Sequence, residues 1–440
     1  MKKIYILLAA LFIATACDSD LDQSPPNLAS ADSLTDFEGV LNAAYYYQLG
    51  SVTPLAVMGE FRSDNAVMDE APYTEFDAFT ANLTTMEDQF FGPLYTAMYK
   101  SILSSNNVIQ NSSDATEVAE AKFLRALSYY KLVKSFGAVT VNLEASPSLT
   151  DTSILARVPA MDVYNNVVIP DLNDAMSVLS TTISNGRASK YAAQALLGKV
   201  YAAMGDYASA ASNLGAVVNG ASAAGINLQV NFSDIFGFAN EGNSEIIYAT
   251  QISSSIVDEY GFGSDFWNWF VGDDSKSDFP VDSDLVAAFD ASDATGTTDL
   301  RRAVTLESAG TTAIKFPKDG GNGGEHDWIE IRLGDVILLY AEALNETGNA
   351  SGALTQLNKI RNRAGLANST ATSQAEVRTA VLNERRLELA FEGHRWDDLV
   401  RTNSVDSQMG TTVNSNYHLF PIPISEILAT GGVITQNAGY

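Results

Sequence analysis

Between residues 261 and 274 the chain reads GFGSDFWNWFVGDD, which sets two indoles, an amide and several carboxylates within one short stretch. A flat aromatic face suits the C–H face of a saturated ring, and carboxylates and amides suit a rim of hydroxyls. That combination is the chemistry a sugar presents. Trp267 and Trp269 are the candidate platforms, with Asn268, Asp265 and Asp273 as candidate hydrogen-bonders beside them. A spacing of two sets both indoles on one face if the segment is extended. Gly261, Gly263 and Gly272 favour an irregular loop over a helix or a central strand. Tyr260, from the same loop, and Tyr73, from a second aromatic-rich stretch, are further candidates. The competing expectation is that large aromatics are buried, so that the loop plugs the scaffold with one indole or both inside.

Other residues look ready for catalysis and are read differently. Glu384, Arg385, Arg386, Glu388, Glu392, Arg395 and Asp397 crowd one segment. With arginines interleaved, these carboxylates are expected to form ion pairs that fix a helix end, and Trp396 among them is expected in the core. His394 and His418 read as scaffold hydrogen-bonders, His326 lies in a polar loop, and Trp328 reads as packing. Three histidines in all, with no HExxH or paired spacing, argue against catalytic zinc. Asp273, Asp274, Asp278, Asp282 and Asp284 offer oxygen to calcium but lack the pattern of an EF-hand loop, so they read as solvated loop charge. No nucleophile elbow, phosphate loop or dinucleotide fingerprint is present. No catalytic residue, metal or cofactor is therefore expected.

The elements that must carry these groups are mostly helical. Phe123, Ala126, Leu127, Tyr130 and Val133 fall at helical spacing, as do Leu94, Ala97, Met98 and Ile102, so 93–111 and 115–136 read as neighbouring helices. Residues 189–219 place Leu197, Gly198, Tyr201, Gly205, Tyr207, Ala210 and Leu214 at tetratricopeptide offsets, where small residues let two antiparallel helices approach. A second copy runs over 337–364 with Tyr340, Ala341, Leu344, Gly348, Ala353, Leu357 and Ile360. Two copies this far apart do not by themselves make a solenoid, and weaker pairs in 93–136 and 161–180 are expected to complete the frame. A further helix over 375–392 is expected to pack beyond the second copy. Residues 220–330 and 50–90 read as loop-rich, with only short strand-like pieces such as 245–250.

The chain has 440 residues, 53 acidic and 26 basic, for a formal charge of −27. No clustered basic face is available for phosphates, so nucleic acid is not an expected partner. Lys2 and Lys3 precede a short apolar run that ends in Ala-Thr-Ala before Cys17, the sole cysteine. Such a run is too short to span a bilayer and has the form of a lipoprotein signal peptide over 1–16. Cys17 is the expected lipidation site, 17–33 a tether, and 34–440 one domain, with the helical scaffold at about 93–219 and 331–400.

NERRLELAFEGHRWDDLVR (383–401), YHLFPIPISEI (417–427), AEAKFLRALSYYKLVKSFGAV (119–139) and RLGDVILLYAEALNE (332–346) occur in that family's order and resemble the SusD/RagB family. The acidic residues after Cys17 resemble its surface-export tag. The resemblance implies a mostly α fold of tetratricopeptide-like pairs with the irregular region packed on one side. It also implies a cell-surface lipoprotein of the outer membrane, without enzymatic activity, that captures polysaccharide or oligosaccharide for a SusC-like TonB-dependent transporter. The acidic surface favours a neutral glycan over a uronate or sulfated one. Peptide binding of the RagB type and a surface glycoside hydrolase are the alternatives.

Overall fold

The computed structural model describes residues 36–147, 151–184, 186–253, 266–270, 279–293, 297–316 and 326–440, apart from the Trp267 side chain. The signal peptide, Cys17 and the tether lie outside the described residues.

Eleven helices make the frame: α1 (Phe37–Tyr46), α2 (Val52–Phe61), α3 (Gly92–Asn111), α4 (Ala115–Phe136), α5 (Ile169–Val178), α6 (Lys190–Ala203), α7 (Tyr207–Gly220), α8 (Leu333–Glu346), α9 (Ala350–Arg363), α10 (Gln374–Leu389) and α11 (Arg395–Arg401). Other helices are named below by their residues. Several helix starts follow a local signal. Asp114 accepts hydrogen bonds from the amides of Thr116 and Glu117, Ser189 from Ala192, and Asp206 from Ser209. Ser373 and Glu376 form a reciprocal capping box at α10. The two tetratricopeptide copies turn alike. Gly205 and Gly348 take positive φ values of 75° and 86°, and the next residue, Asp206 or Asn349, caps the second helix.

The frame is continuous. α3 packs on α4, α4 on α5, α5 on α6, α6 on α7, α7 on α8, and α8 on both α9 and α10. The two copies separated in sequence are thus adjacent in space, with no helix between them. Small residues set the distance: a Cβ on Gly198 of α6 would lie 2.5 Å from the Leu214 side chain of α7, and one on Gly215 of α7 would lie 2.9 Å from the Tyr340 ring of α8. The chain between the copies leaves and returns through β3 (Ile246–Thr250) and β4 (Trp328–Arg332), an antiparallel pair. A smaller antiparallel pair, β1 (Val139–Thr140) and β2 (Arg157–Val158), follows α4.

The stretch 50–90 differs from the loop expected for it. All ten residues of α2 are buried. A helix apolar on every side shows no amphipathic period, which is why the sequence pattern conceals it. α2 packs on α11, and its Gly59 meets the turn before α11 backbone to backbone. A Cβ on Gly59 would lie 2.3 Å from the Gly393 carbonyl oxygen. Gly393 itself has a φ of 74°. Main chain yields less than a side chain does, so Gly59→Ala is expected to lower stability by about 3 kcal/mol in urea unfolding, against under 1 kcal/mol for Ala→Gly at exposed Ala216.

Candidate ligand-binding site

The loop that carries the tryptophans is fastened by its own aromatics. Residues Phe266–Trp269 form one 3₁₀ turn and not the extended segment that the spacing of two required. Phe270 stacks on Phe61 of α2 with ring centroids 5.1 Å apart and planes 9° from parallel, and also meets Phe391 at 5.3 Å. Trp269 meets Tyr73 edge-on at 5.1 Å and Phe90 at 5.2 Å. Phe266 meets Phe316 at 5.1 Å and Trp328 at 5.0 Å. Such contacts add about 0.5–1.5 kcal/mol each beyond the area they bury. The segment is a row of three rivets into the frame.

This arrangement corrects one candidate. Trp269 is fully buried, so its indole is packing and not an exposed platform. In a 3₁₀ turn residues three apart eclipse, so Phe266 and Trp269 share the inward side. Asn268 is half-buried in the same turn. Trp267 lies in the turn, and its side chain is outside the described residues, as are Tyr260, Asp265 and Asp273 entirely. Tyr73 is half-buried against Trp269, and its hydroxyl accepts a hydrogen bond of 3.0 Å from the Gln89 side chain. The structure therefore joins the two aromatic-rich stretches, at Tyr73 and Trp269. Trp328 is buried, in keeping with a packing role.

Behind the rivets lies the acid–base cluster, and it is a closed ionic lattice. Arg332 reaches Glu245 at 3.0 Å, Glu388 at 2.6 Å and Glu392 at 2.7 Å. Arg301 pairs with Asp299 at 2.8 Å and Glu384 at 2.7 Å, Lys315 with Glu392 at 2.6 Å, Arg361 with Glu384 at 2.9 Å, and Arg363 with Glu245 and Glu388. Arg301, Lys315, Arg332, Arg361 and Arg363 thus face Glu245, Asp299, Glu384, Glu388 and Glu392, cation for carboxylate. Burial raises the Glu388 carboxyl, but Arg363, Arg332 and Arg301 overcome this and hold it well below the usual range. A second group ties Arg385 to Asp335 and Asp398, Lys199 to Asp335, and Arg401 to Glu342 and Asp398. Arg395 grips Asp64 through two hydrogen bonds of 2.6 and 2.7 Å.

Against burial, neighbouring cations hold the Glu388, Glu392 and Asp398 carboxyls below the usual range, while burial lowers Lys315 to about 8. Burial, with Lys199 adding to it, pushes His394 down to about 3, so the imidazole is neutral. The Trp396 indole donates to the His418 carbonyl at 3.1 Å and is buried, as a core residue would be. Among the described residues no group of three His, Cys, Asp or Glu is placed to hold a metal. Asp282, from the acidic stretch weighed for calcium, accepts from the Asp284 amide at 2.8 Å, at the start of the helix Ser283–Asp293.

One family model, described as the SusD family, matches residues 314–416, and another, described as starch-binding associating with outer membrane, matches residues 18–202. The chain belongs to the SusD/RagB family. The SusD-like protein P2 of Formosa agariphila is 27% identical over the whole of both chains. A solved structure of a laminarin-binding SusD-like protein is 27% identical with a TM-score of 0.74, covering 92% of this chain and 99% of that one. A SusD superfamily protein of Bacteroides thetaiotaomicron superposes with a TM-score of 0.75 at 24% identity, covering 93% of this chain and 100% of that one. The frame is thus the SusD fold.

Two measurements probe the lattice. Arg332→Met removes one cation from among three buried carboxylates and is expected to cost about 3–5 kcal/mol in urea unfolding. Glu60 of α2, which accepts from the Gly393 amide at 2.8 Å and from Asn65 at 2.9 Å, is pushed up to about 7 by burial. A carboxyl raised on folding stabilises fully below its unfolded pKa, and this contribution fades as pH climbs from about 4 to about 7. Glu60→Gln should therefore flatten the fall in stability between pH 5 and pH 8, by up to about 3 kcal/mol.

Proposed function

We propose that this protein is a glycan-binding lipoprotein of the outer-membrane surface, anchored through Cys17, that captures a neutral polysaccharide or oligosaccharide and passes it to a TonB-dependent transporter. Capture is non-covalent. The observation that carries the reading is the fastening of the tryptophan loop. Phe266, Trp269 and Phe270 are consumed by the frame, which leaves Trp267 as the indole assigned to the ligand, with Asn268 and Tyr73 near it. A rigid turn beside a rigid scaffold lowers the ordering cost of binding, which suits weak contacts repeated along a polymer. Asp265, Asp273 and Tyr260 are assigned to the rim on their place in the same loop.

The similarity to a laminarin-binding protein over almost the full chain supports a neutral glucan as the ligand. The formal charge of −27 supports the same choice, because uronate and sulfate polymers would be repelled. The description of the family as starch-binding and associated with the outer membrane supports the location. The consumption of the signature carboxylates by arginine and lysine supports binding without hydrolysis.

Affinity electrophoresis tests the assignment, with laminarin, starch, fructan, xylan and a uronate polymer in the gel. One neutral polymer is expected to retard the chain from residue 18 onward. Trp267→Ala should abolish that retardation with an unchanged circular dichroism spectrum. Trp269→Ala should instead act on stability, costing about 3–5 kcal/mol as a buried aromatic does. Retardation that survives in Trp267→Ala would move the site to other aromatics, and a failure of every polymer would favour the peptide-binding branch.

A further inference from the structure

A cavity of about 440 Å³ lies where the turn Glu87–Phe91 meets the C-terminal segment, within the usual size of a small-molecule site. Its wall comes from residues 84–91 and 421–440, all of them described. The same turn sends Gln89 to Tyr73 and Phe90 to Trp269, so the cavity and the candidate glycan site use different side chains. Phe91 and Ile422 are buried and close the floor. Ile424, Ile427 and Tyr440 are partly open and supply apolar surface that a ligand can touch, with Ile424 51% exposed.

Among the described residues Glu87 is the sole charged side chain of this wall. It is half-buried, and its two oxygens accept from the Ile424 and Ser425 amides at 2.6 and 3.0 Å. These bonds cap the helix Ile424–Ala429, whose N-cap residue, Pro423, has no side chain to do so. They also fix the carboxylate in place and leave each oxygen a further lone pair. Burial, with Glu87 adding to it, raises the neighbouring Glu426 carboxyl. Two arginines come near from outside the wall and are engaged elsewhere. Arg62 donates to the Phe76 carbonyl and the Tyr440 hydroxyl, and Arg157 to the Ala138 and Thr435 carbonyls.

The hydroxyls of the wall donate into the fold. Thr84 donates to the Ala81 carbonyl at 3.0 Å, and Tyr440 to the Leu419 carbonyl at 3.0 Å. The Gln436 amide is turned onto the Ile422 backbone, donating at 2.8 Å and accepting at 2.7 Å. Glu87 thus keeps the capacity to accept, while the hydroxyl protons around it are used. An anion finds no cation in this wall, and an alcohol brings the carboxylate no opposite charge. A cation on an apolar body meets both features, and the net charge of −27 favours it.

We propose that this cavity binds a primary ammonium carried on an aryl or short alkyl body, the ammonium against Glu87 and the body on Ile424, Ile427 and Tyr440. The site does not depend on the glycan reading.

The probe is 2-phenylethylamine, protonated at neutral pH and titrated by calorimetry at low salt into the chain from residue 18 onward. A saturable heat at one molecule per chain is expected. The uncharged 2-phenylethanol and the anion phenylacetate should bind at least tenfold more weakly. Glu87→Gln should weaken the amine at least tenfold. Because Glu87 also caps a helix, two variants at exposed Ile424 give an independent reading. Ile424→Lys should weaken the amine several-fold and Ile424→Glu should strengthen it several-fold, each with an unchanged circular dichroism spectrum. The proposal is overturned by any of four results: no saturable heat, equal binding of the alcohol or the carboxylate, unchanged binding in folded Glu87→Gln, or an amine affinity that the Ile424 pair leaves unmoved.

Discussion

Everything in this fold leans on the buried lattice around Arg332 and Glu388. Its members come from the end of β4, from α9 and α10, from Glu392 in the turn before α11, from the strand-flanking Glu245, and from Asp299, Arg301 and Lys315 in the long insertion. Ten ionised groups out of water would be ruinous singly. Together they are tolerable only because each carboxylate meets a cation at hydrogen-bond distance and the charges balance. Such a lattice has little tolerance for sliding or partial assembly. It therefore fixes where the insertion sits on the helices, which packing of apolar surface alone would leave looser.

The aromatic rivets extend that fixation from the interior to the binding loop. Phe270 reaches the α2 helix and Phe391, one residue before Glu392 of the lattice. Arg62 sits at a similar junction. Its guanidinium lies 4.3 Å from the Phe79 ring centroid and donates to the Phe76 carbonyl at 2.6 Å. A loop with glycines on both sides is thereby held at its middle.

The sequence made part of this legible. The helix pairs stood out because small residues recur at fixed offsets, and Gly198, Gly205 and Gly348 do what that pattern requires. That Glu384, Glu388 and Glu392 pair with arginines was legible too, although those arginines, Arg301, Arg332, Arg361 and Arg363, lie outside the segment. The partners Glu245, Asp299 and Lys315 were not, because nothing local ties an isolated charge in a loop to a helix far along the chain. α2 was hidden by uniform hydrophobicity. Trp269 was misplaced because alternate spacing suggests an extended strand, whereas the 3₁₀ turn sets Trp269 on the buried side with Phe266. Within the candidate site the residue types were readable and their division between core and ligand was not.

The direct contact of α7 with α8 has an architectural consequence. A chain excursion of more than a hundred residues departs from one repeat and rejoins at the next, without opening a gap between them. It therefore behaves as an exchangeable cassette. Its length can change without parting the repeats, provided that the few ionic and aromatic plugs that seat it are kept.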